Sequence, residues 1–270
     1  MTATEAPLLE VRDLELRFGN VTAFAGVTFD VARGDLFAVI GPNGAGKTSL
    51  FNVLSRVYQP TAGSVRFEGA DLLRLRAWGL AGAGIARTFQ NLGLFGDLTA
   101  LENVLIGRHH LMESGAVRSG LWLGPARRAE RLHRAAALEA LAFTGLEHQA
   151  DDLVRTLPFG IRKRVEIARA LAMEPKLMLL DEPVAGMSVD EREEITDLVQ
   201  RLYAERGLTL LLVEHDMNMV MRIAGRVLVL DFGQPIALGT PAEIQRDERV
   251  IRAYLGEEID AGDSAAEAVG

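Results

Sequence analysis

The chain has no cysteine, which excludes disulfide frameworks and thiolate zinc sites and is compatible with a reducing compartment. It also lacks a long apolar run. The longest, such as Leu208-Thr209-Leu210-Leu211-Leu212-Val213, fall far short of the roughly 18 to 20 residues that span a bilayer. The start, Met1-Thr2-Ala3-Thr4-Glu5-Ala6-Pro7, has neither the charged nor the apolar region of a secretory signal, so a cytoplasmic location is expected. Positive charge is scarce too: 29 Lys and Arg against 37 Asp and Glu leave a net charge of -8, which argues against nucleic acid as the main ligand. A basic cluster of Arg127, Arg128, Arg131 and Arg134 reads as the solvated face of a helix running on through Ala135-Ala136-Ala137-Leu138-Glu139. No repeat of 20 to 50 residues is visible, which disfavours a solenoid.

What is present is enough for a sizeable core. At 270 residues and 49% hydrophobic, the chain fits one large α/β domain or a domain with a sub-lobe. The first sixty or so residues alternate like short strands, Leu8 to Val11, Leu14 to Phe18 and Val27 to Val31, divided by Gly, Asn and Asp turn signals. They predict a small antiparallel sheet, extended by Val65 to Glu68; Ile85 to Phe89 adds a strand ending at Gln90. From Leu98 to Leu157 the pattern is helical, broken by a Gly/Ser/Pro stretch from Ser114 to Pro125. Beyond it, a helix from Arg162 to Met173 precedes the buried run Leu177 to Leu180. Helix 190–205 with strand 208–213, and helix 217–223 with strand 227–230, repeat that unit, which predicts a mainly parallel sheet with helices on its faces. Residues 257–270 are acidic and rich in Gly and Ala, and read as a disordered tail.

The most informative segment is Gly41-Pro42-Asn43-Gly44-Ala45-Gly46-Lys47-Thr48, directly after the apolar run Leu36 to Ile40 and before the helical pattern Ser49 to Leu54. Glycines 41, 44 and 46 allow a tight turn that aims the amides of residues 43 to 49 into an anion-binding concavity at a helix N-terminus. Lys47 carries a charge to the β- and γ-phosphates of a nucleoside triphosphate. Thr48 offers a hydroxyl to Mg²⁺, a hard ion that binds oxygen and arrives with phosphates.

Asp181 and Glu182 end a buried strand, where open α/β sheets place their ligands. Alone, Asp-Glu-Pro is as readily a strand-to-turn junction; beside a phosphate loop, Asp181 suits the Mg²⁺ shell and Glu182 suits polarising the attacking water. The amide of Gln90 can touch both metal and water, although a lone Gln says little. His215, after the strand Leu210 to Val213, can donate to a γ-phosphate oxygen; by itself such a histidine is more often structural. Phe18, at a strand end before the loop, either lays its ring on a purine or belongs to the core.

This ordered set resembles the ATP-binding subunits of ABC transporters over roughly Leu8 to Leu255: Gly41 to Thr48 is similar to their Walker A, Gln90 to the Q-loop, Leu177 to Asp181 with Glu182 to Walker B and its base, and His215 to the switch histidine. Ala86-Arg87-Thr88-Phe89-Gln90-Asn91-Leu92, the insert at 114–128, Val213-Glu214-His215-Asp216-Met217 and the end from Gly239-Thr240-Pro241 to Ile251-Arg252-Ala253-Tyr254-Leu255-Gly256 resemble the ATPase subunit of branched-chain amino acid importers. The resemblance implies a P-loop NTPase (RecA-like) α/β fold: a mainly parallel core with an antiparallel β subdomain over 1–90 and 158–235, an inserted α-helical subdomain over 91–157, and a C-terminal segment over 236–256. ATP and Mg²⁺ are the implied cofactors.

Two motifs depart from that pattern. Leu157-Pro158-Phe159-Gly160-Ile161 stands where Leu-Ser-Gly-Gly-Gln is usual, so contact with a partner's γ-phosphate falls to the amide of Gly160, its neighbours and the helix N-terminus. Ser188 replaces the usual D-loop aspartate. The resemblance further implies a dimer with an identical or related ATPase clamping two ATP molecules, permease subunits whose coupling helix docks near Gln90, a periplasmic or extracellular solute-binding protein, and a place at the cytoplasmic face of the inner or plasma membrane. Leu92, Leu94, Phe95 and Leu98 suit either that docking socket or the core of the helical lobe. A soluble ATPase of the same build acting on nucleic acid or ribosomes is the alternative. Such proteins usually carry two cassettes or a long coiled coil, and this chain has a single Walker A and no sustained heptads.

Overall fold

Buried and exposed side chains alternate along the first strands, so each turns one face to a core. β1 (Leu9–Phe18) and β2 (Val21–Val31) pair antiparallel, with Leu9 opposite Val31 and Val11 opposite Phe29. The sequence predicts a break near Asp13, but the strand continues. Asp13 adopts φ 45 in an irregularity of the ladder and donates its amide to Thr28 Oγ1 at 2.8 Å, and pairing resumes at Leu14. This computed structural model describes residues 6–89, 92–112 and 124–254, the side chains of 124–127 excepted. Gln90, most of the stretch from Ser114 and the acidic tail 257–270 lie outside the described residues.

The chain divides into two compact units, 1–77 with 202–270, and 78–201. In the first, β3 (Leu36–Ile40) leads to α1 (Lys47–Leu54), and β4 (Ala62–Phe67) and β5 (Ala70–Asp71) complete an antiparallel sheet of order β2-β1-β4-β5. Phe29 of that sheet stacks on Phe37 of β3 with centroids 5.0 Å apart.

The second unit holds α2 (Gly79–Ala83), β6 (Ile85–Arg87), α3 (Ala100–Gly107), α4 (Gly124–Phe143), α5 (Phe159–Leu171) and β7 (Leu177–Asp181). β6 and β7 run parallel, Ile85 opposite Leu177. A capping box between Thr99 and Glu102 starts α3, satisfying amides the helix cannot satisfy itself. Leu101 and Val104 of α3, Leu141 of α4 and Val165 of α5 meet in one apolar cluster, each burial contributing about 1.5–3 kcal/mol. Leu94 packs on that cluster, whereas Phe95 stays exposed and Leu92 and Leu98 are half-buried. α5 begins at Phe159, ahead of the expected Arg162, because Pro158 sits at its N-cap with φ -55 and its carbonyl accepts from the Arg162 amide at 3.0 Å.

α6 (Val189–Arg206) carries the chain back to the first unit, where β8 (Thr209–Val213), α7 (Met217–Ile223), β9 (Arg226–Asp231), β10 (Gln234–Gly239) and α8 (Pro241–Ile244) follow. β3 lies between β8 and β9 and parallel to both, with Leu36 opposite Leu210 and Ile40 opposite Val229. Flanked on both edges and covered on both faces, β3 is apolar throughout. The expected combination of parallel and antiparallel sheets in an α/β fold is thus what forms. No helix among the described residues is long and apolar enough to cross a membrane.

Candidate nucleotide-binding site

The phosphate loop leaves the carboxyl end of β3 and closes on α1. Two of its positions admit only glycine. At Gly41, φ 150, an added Cβ would stand 2.0 Å from the Leu230 carbonyl oxygen; at Gly46, φ 95, it would stand 2.5 Å from that of Ala23. Gly46 caps α1 without a side-chain bond, and the first turn holds no acidic residue, so the helix N-terminus keeps its capacity for an external anion. Lys47 is buried and bends over its own loop, donating to the carbonyls of Gly41 at 2.6 Å and Pro42 at 2.8 Å. Its ammonium thus holds the loop shut in a way that phosphate oxygens can replace. Asn43, Gly44 and Thr48 are exposed, Ser49 is half-buried and Ala45 is buried.

β8, the neighbour of β3, ends beside the same sheet edge and delivers His215. The residue before it does the anchoring: fully buried Glu214 accepts from the amides of His215 at 2.9 Å and Asp216 at 3.1 Å. Asp216 then caps α7 through the Met219 amide. The His215 ring is thereby left half exposed on a fixed turn, its Nδ1 3.7 Å from the Glu214 carboxylate. Phe18 is 48% exposed and meets Tyr58 edge-on at 5.1 Å, so it is not a core residue.

In the second unit Asp181 ends β7, buried, and pairs with Arg87 of β6 at 2.6 Å. Arg87→Met is expected to lower the unfolding free energy by about 3 kcal/mol, because Asp181 would be left as a buried charge without its counter-ion. A urea midpoint equal to wild type would show that Asp181 does not depend on the pair. Glu182 follows at φ 44, a conformation unfavourable for any residue with a Cβ and one that collects at functional positions.

Glu191 lies against Gly160 and accepts from the Ser188 amide at 3.0 Å and hydroxyl at 2.9 Å. These bonds, those of Ser188 foremost, hold its carboxyl below the ordinary range. An added Cβ at Gly160 would lie 2.7 Å from Glu191 Oε1. Ser188 and Glu191 form the capping box of α6, a Ser-x-x-Glu spacing that was open to reading in the sequence and explains a serine at the D-loop position. Reasoning from the sequence missed Arg87, Glu191 and Glu214 as partners of site residues.

Thr48 in the first unit and Asp181 in the second each carry a hard oxygen of the kind Mg²⁺ prefers, and among the described residues no three His, Cys, Asp or Glu lie together to hold a metal unaided. The glycine cradle and uncapped helix N-terminus suit the polyphosphate itself.

A protein-family model described as ABC transporter matches residues 24–185, and one described as branched-chain amino acid ATP-binding cassette transporter matches 234–260. The high-affinity branched-chain amino acid transport ATP-binding protein BraF of Pseudomonas aeruginosa is 41% identical over 252 residues, covering 93% of this chain and 98% of that protein. Among solved structures, the ADP conformation of MJ1267, an ATP-binding cassette of an ABC transporter, is 32% identical with a TM-score of 0.79, covering 93% of this chain and 99% of that one. The dimeric post-hydrolysis state of the ATP-binding cassette MJ0796, bound to ADP and Pi, is 28% identical with a TM-score of 0.70 over 86% of this chain and 98% of that one. The chain belongs to the ABC transporter family, as an ATP-binding cassette.

Proposed function

We propose that this chain is the ATP-hydrolysing subunit of an importer of branched-chain amino acids, held at the cytoplasmic face of the membrane by permease subunits. The observation that carries the reading is the phosphate loop: a glycine cradle, an uncapped helix N-terminus and a lysine already folded over the loop. In this assignment residues 1–90 and 158–235 form the core of one cassette, 91–157 its helical subdomain and 236–256 its C-terminal segment. Lys47 and the amides of 43–49 hold the phosphates, while Phe18 takes the purine on its exposed ring. Thr48, Asp181 and Gln90 would supply oxygen donors for Mg²⁺, which would neutralise charge developing on the phosphates. Glu182 accepts the proton of the attacking water, and His215 donates to the γ-phosphate from the turn fixed by Glu214.

The partner ATPase, identical or related, offers its Gly160 segment across a dimer. ATP favours that closed state through charge-assisted hydrogen bonds from both partners, and loss of the γ-phosphate removes the preference. The solute enters through a solute-binding protein and the permeases, which set its identity.

The test is purification from detergent extract followed by reconstitution. Permease subunits should co-purify, and ATP turnover in proteoliposomes should rise when a solute-binding protein loaded with leucine, isoleucine or valine is added. Stimulation by other solutes alone would refute the substrate class. Co-purification of nucleic acid or ribosomes in place of membrane subunits would refute transport.

A further inference from the structure

Arg56 stands just after α1 at φ 59, a conformation that a residue with a Cβ keeps only where its surroundings hold it. Its own side chain supplies the hold. The guanidinium donates to the carbonyls of Leu73 at 2.7 Å and Leu75 at 3.0 Å, to Gln59 Oε1 at 2.8 Å and to the Tyr58 carbonyl at 3.4 Å. On the helix side, the amides of Val57 and Tyr58 both donate to the Asn52 carbonyl, at 2.8 and 3.0 Å. Thr61 then ties the same loop to β1: its amide donates to the Glu15 carbonyl at 2.7 Å and its hydroxyl accepts from the Arg17 amide at 2.9 Å. Loop 56–61 and the end of β1 are therefore one fastened piece. It presents two aromatic rings, Phe18 and Tyr58, which meet at 5.1 Å with their planes 80° apart. Both stay exposed, so the contact is not part of the core.

We propose that Tyr58 is a positioning residue for the base of the nucleotide: its edge contact holds the Phe18 ring in the open orientation in which that ring receives the purine. The inference rests on the role given to Phe18 above. A lone aromatic at an exposed strand end turns among several rotamers, and fixing one of them on binding costs affinity. With Tyr58 already against it, Phe18 has lost that freedom before the nucleotide arrives. α1 links the two halves of the site, since the phosphate loop opens this helix and the loop of Tyr58 follows its end, eight residues or roughly 12 Å away along the axis. A nucleoside triphosphate bridges such a span between its outer phosphate and its base.

Two probes titrated calorimetrically into the full chain with Mg²⁺ separate positioning from packing: a non-cleavable ATP analogue, and inorganic tripolyphosphate, which has the phosphates without the base. In Tyr58→Ala the Kd for the analogue should rise about three- to tenfold, while that for tripolyphosphate stays within about twofold of wild type. Tyr58→Phe keeps the ring edge and should match wild type with both probes. Phe18→Ala should weaken the analogue at least as much as Tyr58→Ala does. Adding Tyr58→Ala to Phe18→Ala should cost no further affinity, because Tyr58 acts through Phe18. An analogue Kd unchanged in Tyr58→Ala while Phe18→Ala weakens it overturns the proposal and leaves the purine on Phe18. Equal losses for analogue and tripolyphosphate in Tyr58→Ala overturn it as well, since the loop then serves only the fold, and so does full additivity of the two substitutions. An analogue Kd unchanged in Phe18→Ala refutes the role assigned to Phe18 and, with it, the positioning of its ring.

Discussion

Glu182→Gln is expected to bind ATP with affinity close to wild type and to hydrolyse it about a hundredfold or more slowly, the range lost when a positioned general base is removed. The amide keeps the size and most of the hydrogen bonding of the carboxylate, so the held loop and the Arg87–Asp181 pair should be undisturbed. What it cannot do is take a proton from water. The backbone at Glu182 supports this role, because a side chain kept at φ 44 is aimed by its surroundings rather than by its own preference. Closed dimers should therefore accumulate with ATP, visible as a dimer peak in size exclusion that wild type shows only with a non-cleavable analogue. Single-turnover hydrolysis at the wild-type rate would assign the base elsewhere.

The phosphate loop was legible because its chemistry is made by the backbone. Glycines are compelled where a Cβ would strike Leu230 or Ala23, so their spacing is written into the sequence. The apolar runs of β3, β7 and β8 were equally plain, since strands buried on both faces are built mostly of apolar residues. Partners distant in sequence were not. Arg87 and Asp181 are 94 residues apart and Phe89 and Glu166 are 77 apart; no periodicity reveals which carboxylate meets which donor. Phe18 shows the opposite difficulty, for an aromatic at a strand end fits a core or a ligand equally well until its exposure is known. Ser188 looked like a lost D-loop aspartate; with Glu191 three residues on, it is a helix cap whose glutamate also lies against Gly160.

Removing Lys47 tests the loop directly. In Lys47→Ala the β- and γ-phosphates lose a charge-assisted partner contributing about 1.5–3 kcal/mol, so the Kd for ATP should rise on the order of tenfold to a hundredfold. Lysine also braces the loop through the carbonyls of Gly41 and Pro42, and part of the loss will come from a looser cradle. The series ATP, ADP and AMP separates the two effects. A missing charge at the outer phosphates weakens ATP and ADP and leaves AMP nearly untouched, whereas a collapsed loop weakens all three alike. Lys47→Arg should not rescue binding, because a planar guanidinium cannot follow the narrow path of the lysine stem across two carbonyls and still reach phosphate as a point charge. Calorimetry giving one affinity for ATP in wild type and Lys47→Ala would mean that the nucleotide is not bound at this loop, and with it the assignment of Thr48 and Asp181 to magnesium would fall.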